Sequence, residues 1–372
     1  MRNIKVSIVI IALLGLCSMQ VLAQGMPKRS EHRVQVQSIA PATKGKTVSL
    51  YVREVSSANP PEPIPVLFVH GAGTPAEVAF DVPVQGYSWM AYLAEKGFAT
   101  YATDMTGYGR SERPAAMEDR CNLSVEQQQQ EFGTACKASV ATALTTMESD
   151  WQDIDAVVEF VRKRHNSSTV HLVGWSQGGP RTLGYAHKHA DKIANVVVLA
   201  PAYNRQAAAQ ATDAILSGAA ITKQSQADFL KQWNGQAPCV GQYEPRVAEA
   251  VWKEMLASDQ VGAKWGSGVR RAPRVPTFGW TPAEVAATRT PVLMAIGNTD
   301  GQVNPERVRE LYADLGSSKK VLLELACNSH NAMWETGATK LFDATYQWLH
   351  GSTYNGNSNG IIVLESSLKV SP

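Results

Sequence analysis

The run Val170-His171-Leu172-Val173 leads into Gly174-Trp175-Ser176-Gln177-Gly178-Gly179, and a helix-compatible stretch, Pro180 to His189, follows. A short apolar run of this kind reads as a buried strand, and G-x-S-x-G directly after it marks the strand, sharp turn and helix of a nucleophile elbow. Only small residues fit beside so tight a turn. Gly174 and Gly178 let strand and helix approach, while Ser176 is pushed out at the tip. The helix N-terminus then lies beneath that hydroxyl, where its free N–H groups favour developing negative charge. Such a motif arises by chance in roughly one chain in ten of this length, so its meaning depends on the rest of the chain.

Elsewhere apolar runs alternate with amphipathic segments. Val66 to Val69 is continuously apolar, so both faces must be buried, as in a central parallel strand. Phe98 to Ala102, Ile193 to Leu199, Pro291 to Ile296 and Val321 to Leu325 repeat that pattern, the last of them as the final strand. Residues 24–31 are polar and read as loose; His32 to Ile39 and Thr47 to Val55 read as two strands joined through Lys44-Gly45-Lys46. Ser88 to Lys96 is a short helix closed by Gly97. A second helix is opened by Ser149-Asp150-Trp151-Gln152 as a capping box and carries Ile154, Val157, Val158 and Val161 on one face. A third is opened by Asn304 and Pro305 and stopped by Gly316, and the last runs from Leu341 to His350, closed by Gly351.

This alternation predicts an α/β fold: a mostly parallel central sheet with helices on both faces, and a ligand site at the carboxyl ends of the strands. Two stretches interrupt it. Residues 112–148 are polar, hold two cysteines and read as an excursion from the core. Residues 202–285 are rich in Ala and Gln, then in Trp and Pro, and read as an inserted, mainly helical cap. The core is then 24–201 with 286–351, and the tail 352–372 has no assigned role.

A serine hydroxyl is a weak nucleophile near neutral pH. It needs a general base, usually His, which a carboxylate must orient. Of the eight histidines, His171 lies inside the elbow strand, His187 and His189 sit down the following helix, and His350 ends the last helix. His330, in Cys327-Asn328-Ser329-His330-Asn331, lies just past a strand, where a base can reach Ser176. Asp300, in Gly297-Asn298-Thr299-Asp300-Gly301, follows another strand end. The strand end before it, Ala200-Pro201-Ala202-Tyr203, offers no carboxylate, and Glu324 lies within a strand. Taken singly, each residue also has a plain reading, a loop histidine and a turn aspartate before glycine. A developing oxyanion needs two aimed donors. One is the Gln177 amide; the other comes from His70-Gly71-Ala72-Gly73, with Ala72 first and Gly73 as the alternative.

Together with Asp104-Met105-Thr106-Gly107-Tyr108-Gly109-Arg110-Ser111, these parts resemble the α/β-hydrolase superfamily, and they stand in its order, Ser before Asp before His. The resemblance implies the α/β-hydrolase fold and acyl transfer to water. Ser176 would attack a carbonyl, His330 take and return the proton, Asp300 fix the imidazole, and the Ala72 and Gln177 amides hold the oxyanion. It implies neither metal nor organic cofactor. Subfamilies with an aspartate nucleophile are excluded by Ser176. A small carboxylic ester is the first expectation for the substrate, and an amide or peptide the second, because one triad serves both. A non-catalytic binding protein of the same fold is a third reading, which the complete set opposes. The cap would roof the pocket. Its tryptophans, Trp233, Trp252, Trp265 and Trp280, hint at an apolar substrate, but packing of the cap's own core is the favoured reading.

The first residues carry an address. Arg2 and Lys5 precede an apolar run, Val6 to Leu16, and Val21-Leu22-Ala23 resembles a signal-peptidase site, so residues 1–23 read as a signal peptide cleaved after Ala23. A lipid anchor at Cys17 fits poorly, because bulky Leu16 precedes it. The apolar run falls short of the roughly 20 residues that a membrane span needs. Export gives the remaining cysteines, Cys121, Cys136, Cys239 and Cys327, a disulfide reading with three possible connectivities. One of these closes a local loop, Cys121–Cys136, and ties the insertion to the segment before His330 through Cys239–Cys327. A net charge of only +2, without a basic block, excludes a case for nucleic acid. Oligomeric state is not readable from the chain.

Overall fold

Two antiparallel strands begin the fold, β1 (Lys28–Gln37) and β2 (Thr47–Ser56), paired from Lys28↔Ser56 to Gln37↔Thr47. The computed structural model describes residues 27–57, 60–205, 219–266, 269–273 and 279–370; the expected signal segment, its expected cleavage point and Cys17 lie outside them. Residues 28–31, expected to be loose, belong to β1. Their side chains are polar, yet their backbone completes the hairpin, and Arg29 is anchored on Asp81 at 2.8 and 2.9 Å.

The chain then alternates as the apolar pattern requires. In order come β3 (Val66–Val69), α1 (Ala76–Phe80), α2 (Trp89–Glu95), β4 (Thr100–Thr103), α3 (Val125–Phe132), α4 (Met147–His165), β5 (Val170–Trp175), α5 (Gly178–Lys188) and β6 (Ile193–Leu199). Next are β7 (Ile221–Ser225), α6 (Gln226–Asn234), α7 (Pro245–Ala257), β8 (Val269–Pro273) and α8 (Pro282–Ala287). Last come β9 (Val292–Gly297), α9 (Pro305–Asp314), β10 (Lys320–Leu325), α10 (Ala338–Gly351) and β11 (Asn359–Leu364). Nine strands form one sheet in the order β1-β2-β4-β3-β5-β6-β9-β10-β11, antiparallel only where β2 meets β1 and β4. Every residue of β3, β5 and β9 is buried, as helices on both faces require. The predicted fold class is therefore the observed one.

Four expectations change. Helix α4 begins three residues before the predicted box: Thr146 is its N-cap, and Thr146 and Ser149 cap each other reciprocally. Gly351 does not close α10 but lies within it, and Ser352 takes the left-handed cap position at φ 52°. Val321 to Leu325 is not the last strand, because the tail returns as β11 and pairs in parallel with β10. The insertion between β6 and β9 holds helices, as expected, but also an antiparallel ribbon of β7 with β8.

The 112–148 excursion is ordered by contacts of its own. The Cys121–Cys136 disulfide closes it, and the buried Asn122 side chain bonds Ala116, Ser139 and Val140. Its Met117, Leu123 and Leu144 form a small core with Ala220 and Ile221 of the insertion, and Lys223 on β7 pairs with Glu131 on α3. Excursion and insertion are thus packed together over the carboxyl ends of the strands.

Candidate active site

Strand β5 ends at Trp175, and Ser176 follows at φ 58°, in the left-handed region that a non-glycine residue enters only under constraint. The constraint is visible in the backbone. Ser176 N–H donates to Leu199 C=O at 2.8 Å, and Ser176 C=O accepts from Gly179 and Ala202 at 2.9 and 3.1 Å. A Cβ on Gly174 would meet the Gly178 carbonyl at 2.4 Å, and one on Gly178 the Val69 carbonyl at 2.3 Å. Both glycines are there because β3, β5 and α5 touch.

His330 and Asp300, 30 residues apart in sequence, meet at 2.9 Å between Nδ1 and Oδ2. The other carboxylate oxygen accepts from the Gln302 and Val303 amides, each at 2.8 Å, so the aspartate cannot rotate freely. An ionised carboxylate only accepts, so Nδ1 carries the proton and Nε2 keeps its lone pair. Ser176 and His330 line one cavity of about 40 Å³, with Ala72, Trp175, Phe229 and Trp334 among its walls. No hydrogen bond joins Ser176 to His330 in this state. Neither the Ser176 hydroxyl nor His330 Nε2 is engaged by another group among the described residues.

Of the two expected oxyanion donors, Ala72 lines this cavity and Gln177 directly follows Ser176. Gln177 is the buried residue that heads α5, and Ala72 is a cavity wall while Gly73 is not. Among the described residues neither the Ala72 nor the Gln177 amide donates to a protein carbonyl. The loop carrying Ala72 is held by Arg181, which the sequence did not single out, and by its own His70. Arg181, fully buried on α5, donates to the His70 and Gly71 carbonyls at 2.8 and 3.1 Å and pairs with Asp150 at 2.7 Å. His70 accepts from the Met105 amide at Nε2, 3.1 Å, which leaves Nδ1 to donate to Gly71 C=O at 2.7 Å. Burial, with Arg181 nearby, holds the His70 imidazole well below its ordinary range, so it stays neutral.

Residues 65–337 match the serine aminopeptidase S33 family. The chain belongs to this family of α/β-hydrolases. A curated relative, the probable secreted lipase phiG of a fungal sp. (strain ATCC 74256), is 32% identical over 68 residues, which is 18% of this chain and 19% of that relative's length. Among solved structures the chain is similar to a thermophilic esterase from Thermogutta terrifontis (TM-score 0.53, 14% identity, 86% of this chain and 98% of the other). It is also similar to the monoacylglycerol lipase of Paleococcus ferrophilus (TM-score 0.52, 20% identity, 82% of this chain and 99% of the other). At these identities the likeness concerns the fold.

In this α/β-hydrolase the insertion is fastened to the loops carrying Asp300 and His330. Gln236, only 4% exposed, accepts at Oε1 from the Gly301 and His330 amides, 3.0 and 3.3 Å, so one side chain bridges both loops. Glu335, fully buried, collects the Ser329 amide (2.8 Å), the Trp233 indole (2.8 Å), Asn328 Nδ2 (3.2 Å) and Gln242 Nε2 (3.3 Å), and Ser329 Oγ as well. Burial pushes its carboxyl up, against the pull of these donors. The Cys239–Cys327 disulfide adds a covalent tie to the same turn. Sequence reading anticipated the disulfide as one option but missed Gln236, Glu335 and Arg181. A buried polar residue leaves no local pattern, because its partners lie far along the chain. The cap tryptophans pack instead of lining the site: Trp233 lies under Glu335, Trp252 stacks on Phe229 at 5.8 Å, and Trp280 meets Tyr203 at 6.2 Å.

Proposed function

We propose that this chain is an exported serine hydrolase that cleaves a carboxylic ester through an acyl-enzyme. Ser176 Oγ attacks the ester carbonyl as its proton passes to His330 Nε2. Asp300 keeps the imidazole in the right tautomer and stabilises its protonated form. The Ala72 and Gln177 amides receive the charge that develops on the carbonyl oxygen. The alcohol leaves with the proton from His330. Water, deprotonated by the same imidazole, then attacks the acyl-enzyme, frees the acid and restores Ser176. The 202–285 insertion roofs the site. The observation that carries this reading is the 2.9 Å contact of His330 with Asp300 on the wall of the cavity that holds Ser176.

Export is supported by the pattern of residues 1–23 and by two disulfides, which persist in an oxidising compartment. Among the described residues no helix is long and apolar enough to cross a membrane. The family's description favours a second reading, cleavage of an amide from a peptide. Against it, the described walls of the cavity carry aromatic rings and side-chain amides but no carboxylate for a free amino terminus.

A fluorophosphonate added to the chain from Gln24 onward tests the assignment by intact mass. A single adduct on the wild type and none on Ser176→Ala is the expected result. An equal adduct on both proteins would remove Ser176 from the mechanism. Matched esters and amides of one acyl group then separate the two readings, and faster amide turnover would favour the peptidase.

A further inference from the structure

The cavity holding Ser176 and His330 shares part of its wall with a second space. Gln224, Gln232 and Gln302 line it and also line an outer basin of about 670 Å³. Gln127 and Gln236 complete the set of amides in that basin, and every described wall residue there is polar or glycine. On that shared wall Gln224 Nε2 donates to Gln232 Oε1 at 3.1 Å, linking β7 to α6.

Two amide atoms of this wall are buried without a partner, Gln224 Oε1 and Gln236 Nε2. The second is held in place: Gln236 Oε1 is already committed to the Gly301 and His330 amides, which fixes the rotation of the group. A buried donor without an acceptor is unfavourable, so a ligand atom that accepts is favoured there. The charged walls do not select an ion. Lys223 is paired with Glu131, while Lys231 and Asp228 are exposed and of opposite sign. An alkyl chain laid in the basin would dehydrate the amides and return no hydrogen bonds. Between them the two unpartnered atoms are one acceptor, Gln224 Oε1, and one donor, Gln236 Nε2, a pair that matches a hydroxyl, itself both donor and acceptor. The inner cavity, at about 40 Å³, has room for only a few atoms beyond the carbonyl.

We infer that the outer basin binds the alcohol half of the substrate, and that the substrate is a short-chain ester of a polyhydroxylated alcohol, a sugar or smaller polyol. This rests on Ser176 and His330 acting as proposed above.

The test compares three acetates that share an acyl group: 6-O-acetylglucose, glycerol monoacetate and hexyl acetate. The wild type is expected to favour the hydroxylated esters in kcat/KM by roughly tenfold or more over hexyl acetate. A preference for the sugar over the glycerol ester identifies a sugar, and equality identifies polyols in general. Gln232→Leu and Gln302→Leu should each lower that preference by roughly threefold to tenfold, striking the hydroxylated esters harder than hexyl acetate. Hexyl acetate turned over as fast as the sugar ester, or equal losses on all three, would overturn the inference. A measurement independent of turnover is protection of Ser176 from the fluorophosphonate: methyl glucoside should slow labelling, and hexanol at the same concentration should not. The reverse order also overturns it. Hydrolysis that survives Ser176→Ala would instead count against the nucleophile, which separates that failure from a failure of the basin.

Discussion

Asp300 is bound on one oxygen by two backbone amides and on the other by His330. Asp300→Asn keeps the shape but offers an NH₂ where an acceptor is needed, which favours the wrong imidazole tautomer. A kcat loss of about 10⁴-fold is expected, as for the same change in a serine protease triad, with the thermal midpoint little changed. A rate within tenfold of wild type would reassign the carboxylate. Asp153 makes a second residue-scale case. It accepts from the Thr106 amide at 2.8 Å; burial, with Asp150 beside it, raises its pKa to about 7, while Thr106 and Arg181 oppose the shift. The folded chain thus keeps a proton that an ordinary aspartate releases near 3.8. Folding therefore binds a proton between those values, and the stability this group contributes below pH 4 is lost as pH rises to about 7. The loss is on the order of a few kcal/mol. Asp153→Asn should remove that slope, so its thermal midpoint should gain on wild type steadily from pH 4 to pH 7. A constant difference across that range would show an ordinary carboxyl. Asp300 was legible as a candidate because it follows a strand end and the strand end before it, Ala200-Pro201-Ala202-Tyr203, offers no carboxylate. Asp153 was not, since its environment comes from three separate segments.

At the level of elements, the two disulfides have different duties. Cys121–Cys136 closes a loop inside the excursion, while Cys239–Cys327 joins the insertion to the turn that carries His330, across a sequence separation of 88 residues. Chain entropy alone gives about 3 kcal/mol for the short loop and about 4–5 for the long one. Stability should therefore fall in both cysteine-to-serine pairs. The rate of fluorophosphonate labelling should separate them. Cys239→Ser with Cys327→Ser frees the base loop and should slow labelling roughly tenfold or more, because small displacements of reacting groups are that damaging. Cys121→Ser with Cys136→Ser should label within about twofold of wild type. Equal labelling of the two variants would show that Gln236 and Glu335 hold the loop without the bond. Helices and strands of the core were readable element by element from their apolar periods. The ribbon of β7 and β8 was not, because its residues are largely polar and it is stabilised by the excursion it packs on.

Over the whole molecule, the tail binds the far edge of the sheet to the insertion. β11 pairs with β10, Ala326 donates to Leu364 C=O at 3.0 Å, and Val240 of the insertion donates to Lys369 C=O at 2.9 Å. Deleting residues 352–372 would uncover the edge of β10, whose residues are mostly buried. The thermal midpoint should fall by roughly 5 °C or more, and the uncovered edge should promote aggregation on heating. A truncated chain as stable as the full one would make the tail an appendage. The sequence by itself determined the parallel sheet and the elbow turn, and it singled out Ser176, Asp300 and His330 as candidates. Each rests on a short-range signal: a continuous apolar run, a glycine-flanked turn, or a polar residue at a strand's end. Tertiary structure alone decided the rest. Gln236 lies 94 residues from His330 and Arg181 lies 111 from His70, and the tail meets its partner strand only after α10. Such contacts depend on the three-dimensional path of the chain, so no local period or spacing announces them.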